Sequence, residues 1–444
     1  MNLDIYSKRR TDVISKMTTL GDGMAILFSS REVTRNADCE FPYRHDSYFY
    51  YLTGFKEPEA ILILLSGKNN ESILFCREKN LEKEIWDGYR YGPEEAKIKF
   101  GFNKTYPINL ADDLVPKLFN NKLNLLYAIS SNDNEETRVK KWLSLARSQV
   151  RSGINPPDRL IDIRSILDEM RLIKDLHEIN IMKKAAQISV DAHLRAMKTS
   201  KPGLKEYHLE AEILYEFKKN GSQSPAYNTI VASGPNSCIL HYSGGERELK
   251  DGDLVLIDAG CELDSYASDI TRSFPANGKF TKSQQKIYEI VLEAQNAAIL
   301  SVSKGNFFDD PHTNALKILS QGMLDIGLLD KNKVGNLEEV LNNKTYHKFF
   351  MHRTSHWIGM DVHDVGMYVI PNNSSNLKKS RVLMPGMTLT IEPGIYIRPS
   401  SDVPEEYWNI GIRIEDDILV TEDGCEVLSK NLPKSIPEIE ALMK

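Results

Sequence analysis

Between Met351 and Gly366 the chain reads MHRTSHWIGMDVHDVG, which sets His352, His356 and His363 beside Asp361 and Asp364 in a sequence with only ten histidines. Imidazole nitrogens and carboxylate oxygens at such spacing can ligate a metal or carry protons. Trp357, Ile358, Met360 and Val362 surround them. Standing alone, such a stretch is better read as a hydrophobic strand holding core histidines. Acids elsewhere in the chain change that reading.

Two separated segments share one frame: Gly252-Asp253-Leu254-Val255-Leu256-Ile257-Asp258-Ala259-Gly260 and Gly386-Met387-Thr388-Leu389-Thr390-Ile391-Glu392-Pro393-Gly394. Each runs from glycine through strand-forming residues to an acid, then a small or ring residue and a second glycine. A further strand-like piece follows each, Tyr266 to Thr271 with Asp269 and Gly411 to Ile418 with Glu415. An internal echo of this kind predicts two related halves about a pseudo-twofold axis, which brings the four acids together. Any single one could end a strand in water. Four in a repeated frame are costly to bury unless positive charge joins them.

Four carboxylates balance two divalent cations, which in two-metal hydrolases sit roughly 3.5–4 Å apart. Oxygen donors with one imidazole favour manganese or a similar first-row ion over a thiolate zinc site, and leave manganese, cobalt, iron and zinc open. A water bridging two such cations loses a proton near neutral pH while the cations polarise a carbonyl. The expected chemistry is hydrolysis without a covalent enzyme intermediate. No HExxH, GxSxG, Walker or dinucleotide glycine pattern competes with it.

These residues need a scaffold. Strands are expected at Gly23 to Ser30, Ile61 to Ser66, Ser72 to Cys76 and Leu125 to Ile129, with a helix from about Glu135 to Arg147. The aromatic segment from Tyr43 to Pro58 supplies either core or a substrate-facing surface. Arg151 to Arg159, with Gly153, Pro156 and Pro157, interrupts any helix or strand and marks a hinge there or just after. A helix is expected over Leu160 to Lys174. The next opens at Asp175 with capping-box spacing to Glu178. Its stripe of Leu176, Ile179, Met182, Ala186, Val190, Leu194 and Met197 leaves His177 and His193 facing solvent. Further helices cover Leu204 to Asn220 and Thr281 to Val302, between strands at Thr229 to Val231, Cys238 to Tyr242 and Leu254 to Ile257. The domains are therefore a mixed α/β one over 1–172 and an α+β catalytic one over 173–444.

Length and composition agree with two soluble cores: 444 residues, 41% hydrophobic and 27% charged. A formal net charge of -6 argues against nucleic-acid binding by bulk charge and leaves small charged substrates open. The N-terminus lacks a signal-peptide core, and the longest apolar run, Ile61 to Leu65, is too short for a membrane role. Five scattered cysteines (Cys39, Cys76, Cys238, Cys261, Cys425) without a CxxC pair suit a reducing cytoplasm.

The segments LIDAGCE, SDITRSFPANGKF, SHWIGMDVHDVG, TIEPGIYI and GIRIEDDILV resemble the metal segments of the Xaa-Pro aminopeptidase (aminopeptidase P) family, two-metal enzymes of the pita-bread, creatinase/methionine aminopeptidase-like fold. The resemblance runs over essentially the whole chain. It implies a C-terminal pita-bread domain with pseudo-twofold halves, preceded by a smaller creatinase-like α/β domain. It also implies Asp258, Asp269, His356, Glu392 and Glu415 as ligands of two divalent ions, foremost Mn2+, with Asp269 and Glu415 bridging. The repeated frame supplies the four acids independently, whereas the resemblance singles out His356.

By the same resemblance His241, His352 and His363 are catalytic histidines on the substrate side and wall of the site, where an imidazole can bond an oxyanion or move a proton. Glu392 is the implied proton carrier from water to the leaving nitrogen. That proton matters, because a proline nitrogen carries no hydrogen of its own. Tyr396 and Arg413 are implied in a polar network beside the metals, and Trp86 and Asp38 as N-domain residues approaching the substrate. The implied activity releases any N-terminal residue that precedes proline, by a hydroxide bridging the metals. Peptides with proline at the second position are the expected partners, without nucleic acid or membrane, and a homo-oligomer, dimer or tetramer, is expected. A prolidase restricted to dipeptides is the alternative, against which Trp357 after the ligand histidine speaks; a non-catalytic pita-bread binding protein is a second, against which the full ligand set speaks. Two features depart from the family: Arg353 where glycine is common, and a longer, more polar loop from Met367 to Arg381, including Ile370 to Asn376. No substrate contact is assigned to Lys378, Lys379 or Arg381.

Overall fold

The computed structural model describes residues 3–370 and 379–444. Much of the polar loop noted above, with Lys378, lies outside the described residues. Two compact units result, Met1–Asp168 and Glu169–Lys444, and the boundary falls inside the helix Arg164–Leu172, just before the expected position.

The first unit is built on a six-stranded sheet in the order Lys104–Pro107, Glu71–Cys76, Ile61–Leu65, Gly23–Phe28, Asn124–Tyr127, Arg159–Asp162. Its central strands are apolar on both faces, as a covered sheet requires. Helices Ala111–Leu118 and Asp133–Ser148 bury Val115, Val139, Trp142 and Ala146 against Met24, Ile26, Ile63 and Phe75. The aromatic segment resolves toward core: Asp46 caps the helix Ser47–Thr53, in which Phe49, Tyr50, Tyr51 and Leu52 are all buried.

The expected helix over Leu160 to Lys174 is corrected. Arg159–Asp162 pairs in parallel with Asn124–Tyr127, and the helix starts only at Arg164. An open sheet edge offers ladder hydrogen bonds that local propensity cannot anticipate.

In the second unit, helices Leu176–Thr199, Glu206–Lys219, Lys282–Leu300 and Asp310–Asp325 pack with the sheets into one apolar core. Both expected capping boxes are present, Asp175 with Glu178 and Thr281 with Gln284. The helix Leu176–Thr199 is covered over more than one stripe, however, so His193 is fully buried rather than solvent-facing, and Leu176 is exposed instead. The predicted strand Cys238 to Tyr242 is also absent. Gly234, at φ +50°, leads with Pro235 into a short 3-10 helix, Gly234–Cys238, and a turn follows that carries His241.

The repeated frame is real in three dimensions. Leu254–Asp258 pairs antiparallel with Thr271–Pro275, placing Asp258 opposite Thr271. Thr388–Ile391 pairs antiparallel with Asp416–Thr421, placing Ile391 opposite Asp416. The closing glycines have a steric reason: a Cβ on Gly260 would lie 1.7 Å from the Ser268 carbonyl oxygen, and one on Gly394 would lie 2.6 Å from the Tyr396 hydroxyl. The two frames are joined where the Glu415 amide donates to the Thr271 carbonyl at 3.0 Å.

Candidate active site

The histidine stretch is irregular, yet it is not loose. His356 O accepts from Thr390 N at 3.0 Å, Ile358 N donates to Thr388 O at 3.2 Å, and Glu392 N donates to Thr354 O at 2.8 Å. The stretch thus lies along the second frame's strand, and Trp357 is packed beneath it with no exposure. His356 Nδ1 lies 2.9 Å from the Trp357 carbonyl oxygen, which fixes the ring with Nδ1–H donating and Nε2 free to ligate. That Nε2 sits 3.3 Å from Asp269 Oδ2 and 3.7 Å from Glu392 Oε1.

Asp269, His356 and Glu415 offer ligand atoms that all lie within 4.8 Å of one another. Asp258 stands beside them, because the Tyr227 hydroxyl is 2.6 Å from both Asp258 Oδ1 and Asp269 Oδ1. Asp258 Oδ2 accepts from Arg413 at 2.6 Å, and Glu415 Oε2 accepts from the Thr271 hydroxyl at 2.6 Å. Four carboxylates and one imidazole therefore meet, as the repeated frame anticipates. Asp361 and Asp364 do not join them: Arg171 binds both at 2.7 Å, and Lys174 binds Asp364 at 2.9 Å.

The electrostatics follow from burial. Burial, with repulsion from the other acids, pushes Glu392 up to about 7 despite His356 and Arg413. Burial likewise raises Asp258, and it raises Glu415 well above the carboxylate range. At Asp269 burial is outweighed by the hydrogen bond and charge of His356, so its carboxyl lies below the usual range. Burial opposes the charge on His356, but Asp269 and Glu392 carry it to about 9. A cluster with more acid than fixed protein cation fits a site that receives positive charge from metal.

Around this centre is a cleft of about 910 Å³ lined by His241, His352, His363, Arg413 and the acids, with Tyr368 and Val369 on its wall. His363 packs edge-on to His356 at 4.3 Å between ring centres, and burial with the His356 charge lowers its pKa. His352 Nδ1 lies 2.7 Å from the Arg353 carbonyl oxygen and Nε2 lies 2.8 Å from the Tyr396 hydroxyl. Tyr396 in turn accepts from Arg413 at 2.9 Å. Burial and Arg413 hold His352 down at about 3, so it is a neutral ring in a chain of directed hydrogen bonds.

Trp86 and Asp38 belong to the first unit. Trp86 is 84% exposed on the helix Leu81–Asp87, and Asp38 is exposed in the turn between Thr34–Asn36 and Cys39–Glu40. Arg353, the first departure, is ion-paired with Asp309. Arg381 is ion-paired with Glu169 at 2.8 Å. Sequence reasoning missed Tyr227, Thr271 and the buried Arg272, whose guanidinium donates to the Glu415 carbonyl oxygen and to Asp416, each at 2.7 Å. Thr271 and Arg272 stand in the quoted SDITR segment and could have been flagged, whereas nothing around Tyr227 marks it.

The sequence model of metallopeptidase family M24 matches residues 180–422, and that of the aminopeptidase P N-terminal domain matches residues 6–127. The chain is 43% identical to the Xaa-Pro aminopeptidase of Escherichia coli K12, over 99% of this chain and 97% of that relative. It is 31% identical to human Xaa-Pro aminopeptidase 3, over 98% of this chain and 85% of that one. Among solved structures, Pseudomonas aeruginosa aminopeptidase PepP superposes with a TM-score of 0.95 at 44% identity, covering 100% of this chain and 98% of that one. A zinc-substituted E. coli aminopeptidase P in complex with product superposes at 0.94 and 42% identity, with coverage of 100% and 98%. The chain belongs to metallopeptidase family M24 and carries the N-terminal domain of aminopeptidase P.

Proposed function

We propose that in this Xaa-Pro aminopeptidase Asp258, Asp269, His356, Glu392 and Glu415 would hold two divalent cations. The observation that carries the ligand set is the meeting of four acids from two repeated hairpins with the Nε2 of His356. Held there, two divalent cations would supply a water that loses a proton near neutral pH and would polarise the scissile carbonyl.

The chain's own residues do the rest. Glu392 turns one oxygen to His356 and the other, at 3.8 Å, to His352, so it spans the ligands and the cleft wall. That span supports Glu392 as the carrier of a proton to the departing proline nitrogen. His352, kept neutral and oriented by Tyr396, presents a fixed ring to the substrate, while His241 and His363 line the same cleft as further donors to a developing oxyanion. Arg413 ties Asp258 to Tyr396 and keeps metal ligand and substrate wall in register.

Full-length similarity to Xaa-Pro aminopeptidases supports peptides with proline second as substrates, in preference to a prolidase. Manganese is the proposed ion, on the strength of oxygen donors with a single imidazole. All five cysteines are free, which supports a cytoplasmic site of action. Among the described residues no helix is long and apolar enough to cross a membrane. Leu81, Ile85, Trp86 and Tyr89, apolar or aromatic side chains close in sequence, are each exposed, which supports a homo-oligomer, to be checked by light scattering.

Chelation followed by add-back of manganese, cobalt or zinc, assayed on a short Xaa-Pro-Xaa peptide and on Gly-Pro, tests the reading. Metal-restored cleavage of the longer peptide is expected. Activity confined to the dipeptide would replace it with a prolidase.

A further inference from the structure

Among the described residues lining the cleft, two carry a guanidinium, Arg413 and Arg353. Arg413 is committed to the centre: it is 4% exposed, and its nitrogens bond Thr271, Tyr396 and Asp258. Arg353 differs in every respect. Its side chain is 59% exposed, and its partner, the Asp309 carboxylate, is 45% exposed. Both line the same cleft as the acids.

The backbone beneath Arg353 is nevertheless fixed. Its carbonyl accepts from His352, the next residue's hydroxyl pairs with His312 Nδ1 at 2.9 Å, and the Thr354 carbonyl accepts from Glu392 N at 2.8 Å. An exposed cation therefore stands on a hydrogen-bonded base next to a substrate-wall histidine. An ion pair this exposed contributes little, so exchanging its carboxylate for another costs little. A guanidinium accepts a carboxylate through two parallel hydrogen bonds, and a carboxylate on a bound peptide arrives with its position already set.

We infer that Arg353 reads a carboxylate on the substrate, near the scissile bond, and that Asp309 occupies the guanidinium until that carboxylate arrives. This rests on the peptidase reading above. Residues of an extended peptide advance about 3.3–3.6 Å each, so the carboxylate comes from within a few residues of the bond cleaved. It is either the C-terminal carboxylate of a short peptide or an Asp or Glu side chain. Asp309 adds a second consequence: with Arg353 removed, its unpaired charge repels the same substrates.

The test compares kcat/KM of the metal-loaded enzyme on an uncharged Ala-Pro-Ala-amide with its free acid, and on Glu and Gln versions of the amide at the first and third positions. In the wild type, one acid-bearing peptide is expected to exceed its neutral counterpart by about fivefold, mainly through KM, and the difference shrinks in 0.5 M salt. The position and kind of acid preferred identify the source. R353Q brings that ratio to one or below, and D309N raises it above the wild-type value. Ratios unchanged in both variants, or no acid preference at any position in the wild type, overturn the inference. Failure of the wild type to cleave even the neutral amide would instead overturn the peptidase reading.

Discussion

The two acid-bearing hairpins share a backbone and differ in what holds their carboxylates. In the first, one Tyr227 hydroxyl serves Asp258 and Asp269 together, and Arg413 neutralises Asp258. In the second, Glu415 leans on the Thr271 hydroxyl of the first hairpin, and Glu392 faces two imidazoles instead of a donor of its own. Against its burial, Asp269 is held below the usual carboxylate range chiefly by His356, whose Nε2 is 3.3 Å away, while burial and the other acids raise Glu392 to about 7. The repeat thus fixes where charge sits, and the unrepeated neighbours decide which acid stays ionised and which is free to exchange a proton.

The sharpest break in that comparison is Asp269→Asn. It is expected to empty the site, with elemental analysis showing at least half of the bound metal lost and kcat/KM falling on the order of 10⁴-fold. Full metal content with wild-type turnover would remove Asp269 from the ligand set. Glu392→Gln should lose about 10²- to 10⁴-fold in kcat, yet hold more metal than the Asp269 variant. Near wild-type turnover there would end its proton-transfer role.

Smaller effects belong to the donors behind the ligands. Tyr227→Phe and Thr271→Val each should weaken metal binding by about 10- to 100-fold in a direct metal titration. If neither moves the affinity, the hydroxyls merely fill space. The smallest effect is on stability. His193, beneath the first hairpin with Nε2 at 3.0 Å from the Ala259 carbonyl oxygen, is lowered by burial to about 4 from the ordinary 6.5. Its neutral form is the folded one, so its contribution is complete above pH 6.5 and is lost as pH falls toward 4, at about 1.4 kcal/mol per unit. Denaturant midpoints of metal-free protein at pH 7 and pH 5 should therefore converge in His193→Gln relative to the parent. Equal slopes in both would exclude His193 as the source.

Much of the scaffold was legible because the signals are local. Capping boxes at Asp175 and Thr281, and the apolar strands Gly23–Phe28 and Ile61–Leu65, need nothing beyond their own neighbours. The misreadings share one cause. Arg159–Asp162 became a strand because a distant sheet edge was open, and His193 went inside because the catalytic hairpin covers a second face of its helix. Periodicity records how a segment presents its apolar residues. It does not record what will be laid against the remaining face.

The same division runs through the site. The sequence by itself determined the doubled frame of Asp258 with Asp269 and Glu392 with Glu415, since glycine, strand and acid recur at matched spacing and burial of four such acids demands cations. Only the tertiary structure decided that Tyr227 bridges one pair, that Asp364 is spent on Arg171 and Lys174, and that Arg353 faces the cleft against Asp309. Each of those is a pairing between residues far apart in the chain, fixed by where rigid elements meet and not by any pattern along it.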